Sequence, residues 1–537
     1  MLDMVCFPGG MGFGCQVSRA GCRVSSVPRQ VLRRVGHFPW GETPAGRAAC
    51  RAGAAGRRGE RVRWGCLDWR GVLNESRLPH GGHVPPRPRE LLRQPLDPHP
   101  ESAEAGVVRC SVRERLPRLL PHHPQSPRPH LGSGDRGVPF NRWKQIEHDE
   151  VTLAERLGEK KVPSMLVTDT ANSVTDGRNV YKGYSAWAFN RGQEGDPCWL
   201  DANVGPAWPV SPDLIRYTPE RWLQVLTNRA HRRAETDWFA PGTYELALQW
   251  LERNYKRENF LLWVETFDPH EPWDPPKWYE QLYDPDFKGR VFDAPTYGFR
   301  KSVGMTSREL KNLRARYSGE CTMVDACVGR LLAALEQLGI LSETMVVFTS
   351  DHGAYFDYPG DNGMICKAAT LGADGRTMAG GQPNKQPLQH FPHFPGVARI
   401  PLILHLPGQT KQVRAKPIVQ PWDLTPTVLE SFGLLAPPEF VGQSLMPLAR
   451  GESRRTRDVA VCGTNTMAQA INGEWLYAVW QGQRERCLYN LREDPAVKHN
   501  LAAGDPAMAD RLHGEAMDRL RALGAEEELL AKYVRDR

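Results

Sequence analysis

The chain has 537 residues, 40% hydrophobic and 24% charged, with a net charge of +7. That length buries a large core and predicts two or more units, and the composition is ordinary for a soluble globular protein. No apolar run approaches the roughly 20 residues a bilayer requires, and Met1 to Ala20 lacks a basic segment followed by a clean apolar core, so no membrane partner, no secretory leader and a cytoplasmic location are expected.

The charge is unevenly spread. Residues 1–135 hold 21 Arg, no Lys and 11 acidic residues, a net +10, which leaves −3 for the remainder. Six of the 12 Cys also fall there, and no Cys-x-x-Cys pair occurs. The thiols read as buried or incidental in a reducing compartment, not as a disulfide framework or a zinc site. This stretch is rich in Arg, Pro, Gly and His and shows no sustained period of 2.0 or 3.6, so it reads as disordered or out of frame. A nucleic-acid arm is the sharper alternative. Its arginines are interspersed with prolines and acids and its aromatics are few, so no nucleic-acid partner is expected.

From Gly137 onward strands and helices alternate. Val151 to Leu157 predicts a helix and Ser164 to Asp169 a strand. Thr243 to Asn254 predicts a helix and Phe260 to Phe267 a strand; Arg314 to Leu338 is a long amphipathic helix, followed by a strand over Thr344 to Ser350. Ile400 to Leu406 is a further strand and Asp423 to Phe432 a further helix. Such alternation predicts an α/β fold, a mostly parallel sheet sandwiched by helices. The tail differs: short strands near Asp458–Cys462, Ala468–Asn472, Trp475–Trp480 and Arg486–Leu491 predict a small antiparallel sheet, closed by a helix over Ala507–Leu523. The expected division is 1–135, 136–455 as an α/β hydrolase domain, and 456–537 as an α+β subdomain.

Residues 345 to 353, Met-Val-Val-Phe-Thr-Ser-Asp-His-Gly, carry the strongest local signal. An apolar β-prone run ends in two side chains able to bind a metal, Asp351 and His352, and then a glycine where the chain must turn. That places both at the carboxyl end of a strand, where sites in open α/β sheets lie.

Several segments together resemble the sulfatase family of the alkaline-phosphatase-like superfamily: Phe267-Asp-Pro-His-Glu-Pro-Trp-Asp-Pro-Pro276, Val324 to Leu335 with Val347 to Gly353, Gly363 to Lys367, Ala398 to Leu404, Asp423 to Gly433 with Val441 to Leu445, and Cys487 to Pro495. The resemblance covers roughly Gly137 to the C-terminus. It implies hydrolysis of a small-molecule sulfate or phosphate ester beside a divalent cation, usually calcium, with Mn2+ or Mg2+ as alternatives. Asp351 and His352 match two metal ligands, His270 the histidine that contacts the ester, and Lys367 the lysine that neutralises it. The chemistry fits, because ester hydrolysis builds negative charge on the leaving oxygen, which fixed cations stabilise and a histidine can protonate. Asp268 and Glu271 read as loop hydrogen-bonding groups, His390 and His393 as pocket lining, and Asp325 with Arg330 as a pair across helical turns. The sequence leaves the oligomeric state unspecified.

The family pattern also requires a first strand ending in paired aspartates and a Cys-x-Pro-x-Arg or Ser-x-Pro-x-Arg segment whose first residue becomes formylglycine. Neither stands in register, and Cys15-Gln-Val-Ser-Arg19 has Val17 where proline belongs. The expectation is an enzyme impaired as written, or a binding-only pseudoenzyme, whose early half is translated out of frame. Leu91 to Glu101 read one base later permits a string close to the early pattern, and Pro121 to Arg128 read the same way puts Thr or Ile at the nucleophile position. A threonine there would favour phosphodiester or phosphonate ester hydrolysis in the intact gene. Sequencing the gene tests this, and a single uninterrupted frame across residue 136 ends it.

Overall fold

The computed structural model describes residues 2–8, 110–112, 146, 148 and 150–533, apart from 176–178, 369, 378–388, 438–439, 454–455, 465–466, 483–484 and 526. Most of 1–135, including the Cys15–Arg19 near-match and the arginine-rich composition, therefore lies outside the described residues.

Among the described residues eight strands form the main sheet. In chain order they are β1 (Leu2–Pro8), β2 (Cys110–Val112), β3 (Ser164–Thr168), β4 (Ala186–Phe189), β5 (Leu261–Thr266), β6 (Thr344–Ser350), β7 (Leu402–His405) and β8 (Val413–Ala415). Their spatial order is β8-β2-β7-β6-β1-β5-β3-β4. The pairs β5·β3, β3·β4 and β2·β8 are parallel, whereas β1 is antiparallel to both β5 and β6 and β7 to both β6 and β2. Six strands therefore share one direction and only β1 and β7 oppose it, which agrees with a mostly parallel sheet.

β3 and β5 are buried along their whole length, the mark of strands covered on both faces. Their side chains sort by parity. Leu166, Leu261, Trp263, Met345 and Val347 pack on one face with α1 (Leu153–Glu159) and Leu424, Val428 and Leu429 of a helix over Leu424–Ser431. Met165, Val167, Leu262, Val264 and Val346 pack on the other with Tyr244, Ala247 and Leu251 of a helix over Phe239–Asn254, and with Cys327, Leu331 and Leu335 of a helix over Ser307–Gln337.

The helices start where side chains satisfy their first N–H groups. Thr152 accepts from the Glu155 N–H at 3.1 Å and the Glu155 carboxylate accepts from the Thr152 N–H at 2.8 Å. Thr306 and Glu309 repeat the device at the head of the 31-residue helix. That helix begins seven residues before the Arg314 expected from its apolar stripe, because the cap rather than the stripe sets its start. Arg330 reaches Glu235 at 3.4 Å instead of Asp325, since residues five apart on a helix do not face one another.

The tail forms a four-stranded antiparallel sheet over Ala460–Thr464, Met467–Ile471, Trp475–Trp480 and Arg486–Asn490, covered by a helix over Pro506–Ala522. Among the described residues no helix is long and apolar enough to cross a membrane.

Candidate functional site

Because β3, β4, β5 and β6 run the same way, their carboxyl ends meet at one edge. β6 delivers Asp351 and His352, and β5 delivers the Phe267 to Trp273 loop, whose Asp268–Pro269 and Glu271–Pro272 bonds are both cis. The turn after His352 differs from expectation in its reason for glycine. A Cβ at Gly353 would lie 2.0 Å from the Gly396 carbonyl oxygen, so the glycine is required for close approach rather than for an unusual backbone angle.

Two imidazoles meet here, their ring centroids 6.1 Å apart: His270 and His352. Each is fixed by its own loop backbone. His270 Nδ1 lies 2.6 Å from the Glu271 carbonyl oxygen and His352 Nδ1 lies 2.7 Å from that of Gly353. A carbonyl only accepts, so each Nδ1 carries a proton, and in the neutral ring Nε2 carries the lone pair. In His270 that lone pair faces the Lys367 ammonium group, with Nζ to Nε2 at 2.7 Å. In His352 it is the nitrogen a metal would take. The Asp351 carboxylate accepts from the His352 N–H at 2.9 Å.

Lys367 is only 2% exposed, not the solvated lysine its residue type would suggest. The residue before it, Cys366, sits at φ +62°, a left-handed conformation that costs a non-glycine residue about 1–2 kcal/mol. Burial pushes Lys367 down to about 7; Glu271 pulls it back up and Arg216 pushes it further down. The four residues singled out in the sequence thus converge in one buried cluster.

Behind them lies a charged layer of which the sequence reading named only Glu271 and Asp268. Glu271 accepts from Arg216 and from the Tyr297 hydroxyl. Arg216 also donates to Glu194 at 2.8 Å, and Glu194 accepts from the Tyr217 hydroxyl at 3.2 Å and from Asn172 at 3.1 Å. Glu194 stands at φ +55° within Arg191-Gly-Gln-Glu-Gly-Asp196, directly beyond β4. That polar, glycine-rich run after a strand was the available signal. Asp169, at the end of β3, accepts from the Phe267 N–H at 2.6 Å and from the hydroxyls of Thr243 and Thr266, tying two strand ends together. Burial, and then the Asp268 carboxylate, push Asp169 up to about 8. Asp268 accepts from Gln193 at 3.0 Å and from the Ala240 N–H at 3.2 Å, the loop-bonding role expected of it. His390 lies against Trp480 with the ring planes tilted by 38°, and His393 is buried with its backbone held by Gln469, so both belong to the junction with the tail.

As a metal site the arrangement is partial. Asp351 and His352 are suitable donors, yet among the described residues no group of three or more His, Cys, Asp or Glu side chains forms a cation site. Two donors fall short of the six to eight ligands calcium takes.

These features define an α/β protein with ionisable groups gathered at one sheet edge. The chain belongs to the sulfatase family, whose Sulfatase profile matches residues 127–434. Human arylsulfatase K is 26% identical over 326 residues, covering 57% of this chain and 52% of that protein. The chain spans about half the length of the first curated relatives it matches. Its fold is similar to the phosphonate monoester hydrolase of Agrobacterium radiobacter (TM-score 0.54, 17% identity, 76% of this chain and 88% of that one). It is also similar to a protein solved with its substrate D-glucosamine-2-N,6-O-disulfate (TM-score 0.51, 14% identity, 78% and 90%).

Proposed function

We propose that the site hydrolyses sulfate esters, with Lys367 and His270 facing the ester oxygens and Asp351 and His352 serving as two ligands of a divalent cation, calcium first. The observation that carries the reading is the 2.7 Å contact between Lys367 Nζ and His270 Nε2, buried beside the Asp351–His352 turn. One proton lies between those two nitrogens. When the S–O bond to the alcohol breaks, the electron pair stays on the leaving oxygen, which takes that proton; a water oxygen bonds to sulfur, and one of the water's protons returns to the Lys367–His270 pair. The Glu271 carbonyl holds the His270 ring so that its reactive nitrogen stays on the ester side. No described residue is assigned as the nucleophile.

The test is turnover of 4-nitrophenyl sulfate by the full chain beside bis(4-nitrophenyl) phosphate. Sulfate turnover lost in Lys367→Ala and in His270→Ala supports the reading. Turnover of the phosphodiester alone replaces it with the phosphoryl alternative, and turnover of neither removes the enzymatic assignment.

A further inference from the structure

The Arg191–Asp196 run continues into a loop that ends on an unusual side chain. Trp199 is 50% exposed, although an indole of that size is ordinarily mostly buried. One face of the ring lies on the His231 imidazole, with centroids 4.5 Å apart and planes 16° apart. The loop is fastened to a helix over Pro219–Ala230 on both sides of the indole. Trp199 N–H donates to Asn228 Oδ1 at 3.3 Å and its carbonyl accepts from Gln224 at 2.9 Å. Asn228 in turn donates to the carbonyls of Gly192 and Asp196 at 2.7 and 2.8 Å. The backbone beneath the ring is therefore anchored, and the ring itself rests on His231.

Its place in the fold matters. The loop leaves the carboxyl end of β4, the same sheet edge that carries His270 and Asp351. Gln193 at its base bonds to Asp268, two residues before His270. β4 stands two strands from β5, roughly 10 Å across the sheet. The loop thus starts at the edge of the site and carries Trp199 away from the ester position onto the Pro219–Ala230 helix.

We infer that Trp199 is a stacking platform for a saccharide ring adjacent to the one that bears the ester, a substrate class that rests on the hydrolase reading above. The C–H face of a pyranose is apolar and lies flat on an indole, while its hydroxyls project sideways and need polar partners. The platform's margin offers them. Asn203 follows on the same loop, exposed, and the half-buried Asp201 lies 3.6 Å from His231 Nε2. The half-exposed Arg191 and Arg221 are paired with Asp196 and Glu194, and the N–H groups those carboxylates leave over can donate to the hydroxyls or sulfate of a sulfated sugar chain. A sterol would instead call for an enclosed apolar cleft, and Trp199 stands half exposed among polar side chains.

Calorimetric titration of the full chain with a heparin hexasaccharide tests the inference, with inorganic sulfate titrated in parallel. Trp199→Ala is expected to weaken hexasaccharide binding about tenfold and Trp199→Phe to restore most of it, with sulfate affinity and melting temperature unchanged in both. Equal hexasaccharide affinity in wild type and Trp199→Ala overturns the platform, as does a wild type that does not bind the hexasaccharide. A platform that binds sugar in a chain that turns over no sulfate ester retains the site and removes only the hydrolase reading.

Discussion

At the scale of single residues the site is a problem of protons. Lys367, held at about 7 against an ordinary 10.5, is an ammonium below that pH and a neutral amine above it. Sulfate keeps its charge throughout, so its affinity should fall by about tenfold per pH unit above about 7, and Lys367→Met should bind it weakly with a flat profile. A wild-type affinity that stays constant from pH 6 to 9 would sink this. The same shift sets a stability slope. The folded pKa lies below the unfolded one, so between about 7 and 10.5 the unfolded chain binds more protons and stability rises with pH. The metal argument is separable. Calcium at a hundred times its dissociation constant should stabilise the fold by about 2.7 kcal/mol, read as a rise in melting temperature. Asp351→Asn should abolish that rise, and a wild type that calcium leaves unmoved removes the two-donor reading. The sequence disclosed Asp351 and His352 because a strand, an acid, an imidazole and a glycine stand next to one another. It was silent on Arg216, Glu194 and Asp169, whose partners lie 55, 22 and 98 residues away in the chain; only folding brings such distant charges together.

At the scale of elements the informative strand is β1. Alternation and apolar runs were enough to find β3, β5 and β6 within a residue or two. They could not reveal that Leu2–Pro8 pairs at the centre of the sheet, because periodicity names no partner and no direction. In a stretch whose composition reads as disordered or out of frame, β1 fills the place between β5 and β6, reversed with respect to both. The helix over Phe239–Asn254 starts four residues before the expected Thr243 and takes in Pro241, since proline is tolerated in a first turn, where its missing N–H would have no helical partner. Removing residues 1–8 would strip partners from five positions of β5 and seven of β6, both lined by buried residues. Each orphaned buried group costs about 1–3 kcal/mol, so several together exceed the 5–15 kcal/mol that holds a typical domain. Hydrogen exchange should then show lost protection in Leu261–Thr266 and Thr344–Ser350, spreading to the flanking helices. Unchanged protection in those two strands would mean that β1 is dispensable.

At the scale of the whole molecule the question is how the tail sheet joins the main one. The division proposed at 455/456 separates two sheets, yet polar groups in the interior cross it. The buried Asp423 carboxylate takes both arms of the Arg457 guanidinium, at 2.5 and 2.6 Å, and also the backbone N–H groups of Gln420 and Gln443. The Gln420 amide donates to the Val461 carbonyl at 2.8 Å, and the Gln469 amide clasps the backbone of His393 on both sides. Trp422 packs with Val461, Tyr477 and Leu520 in the tail's own core. A bidentate pair this deep stabilises little beyond an apolar substitute, but breaking one side strands a charge. Arg457→Ala should therefore cost about 3–5 kcal/mol, whereas the double variant Asp423→Asn with Arg457→Met, which leaves no lone charge, should cost clearly less. If the tail is an independent domain, chemical denaturation of Arg457→Ala will split into two transitions with only the second near the wild-type midpoint. If the two sheets are one cooperative body, as the shared interior argues, the whole transition moves to lower denaturant as a single step, and it carries the Lys367–His270 contact with it.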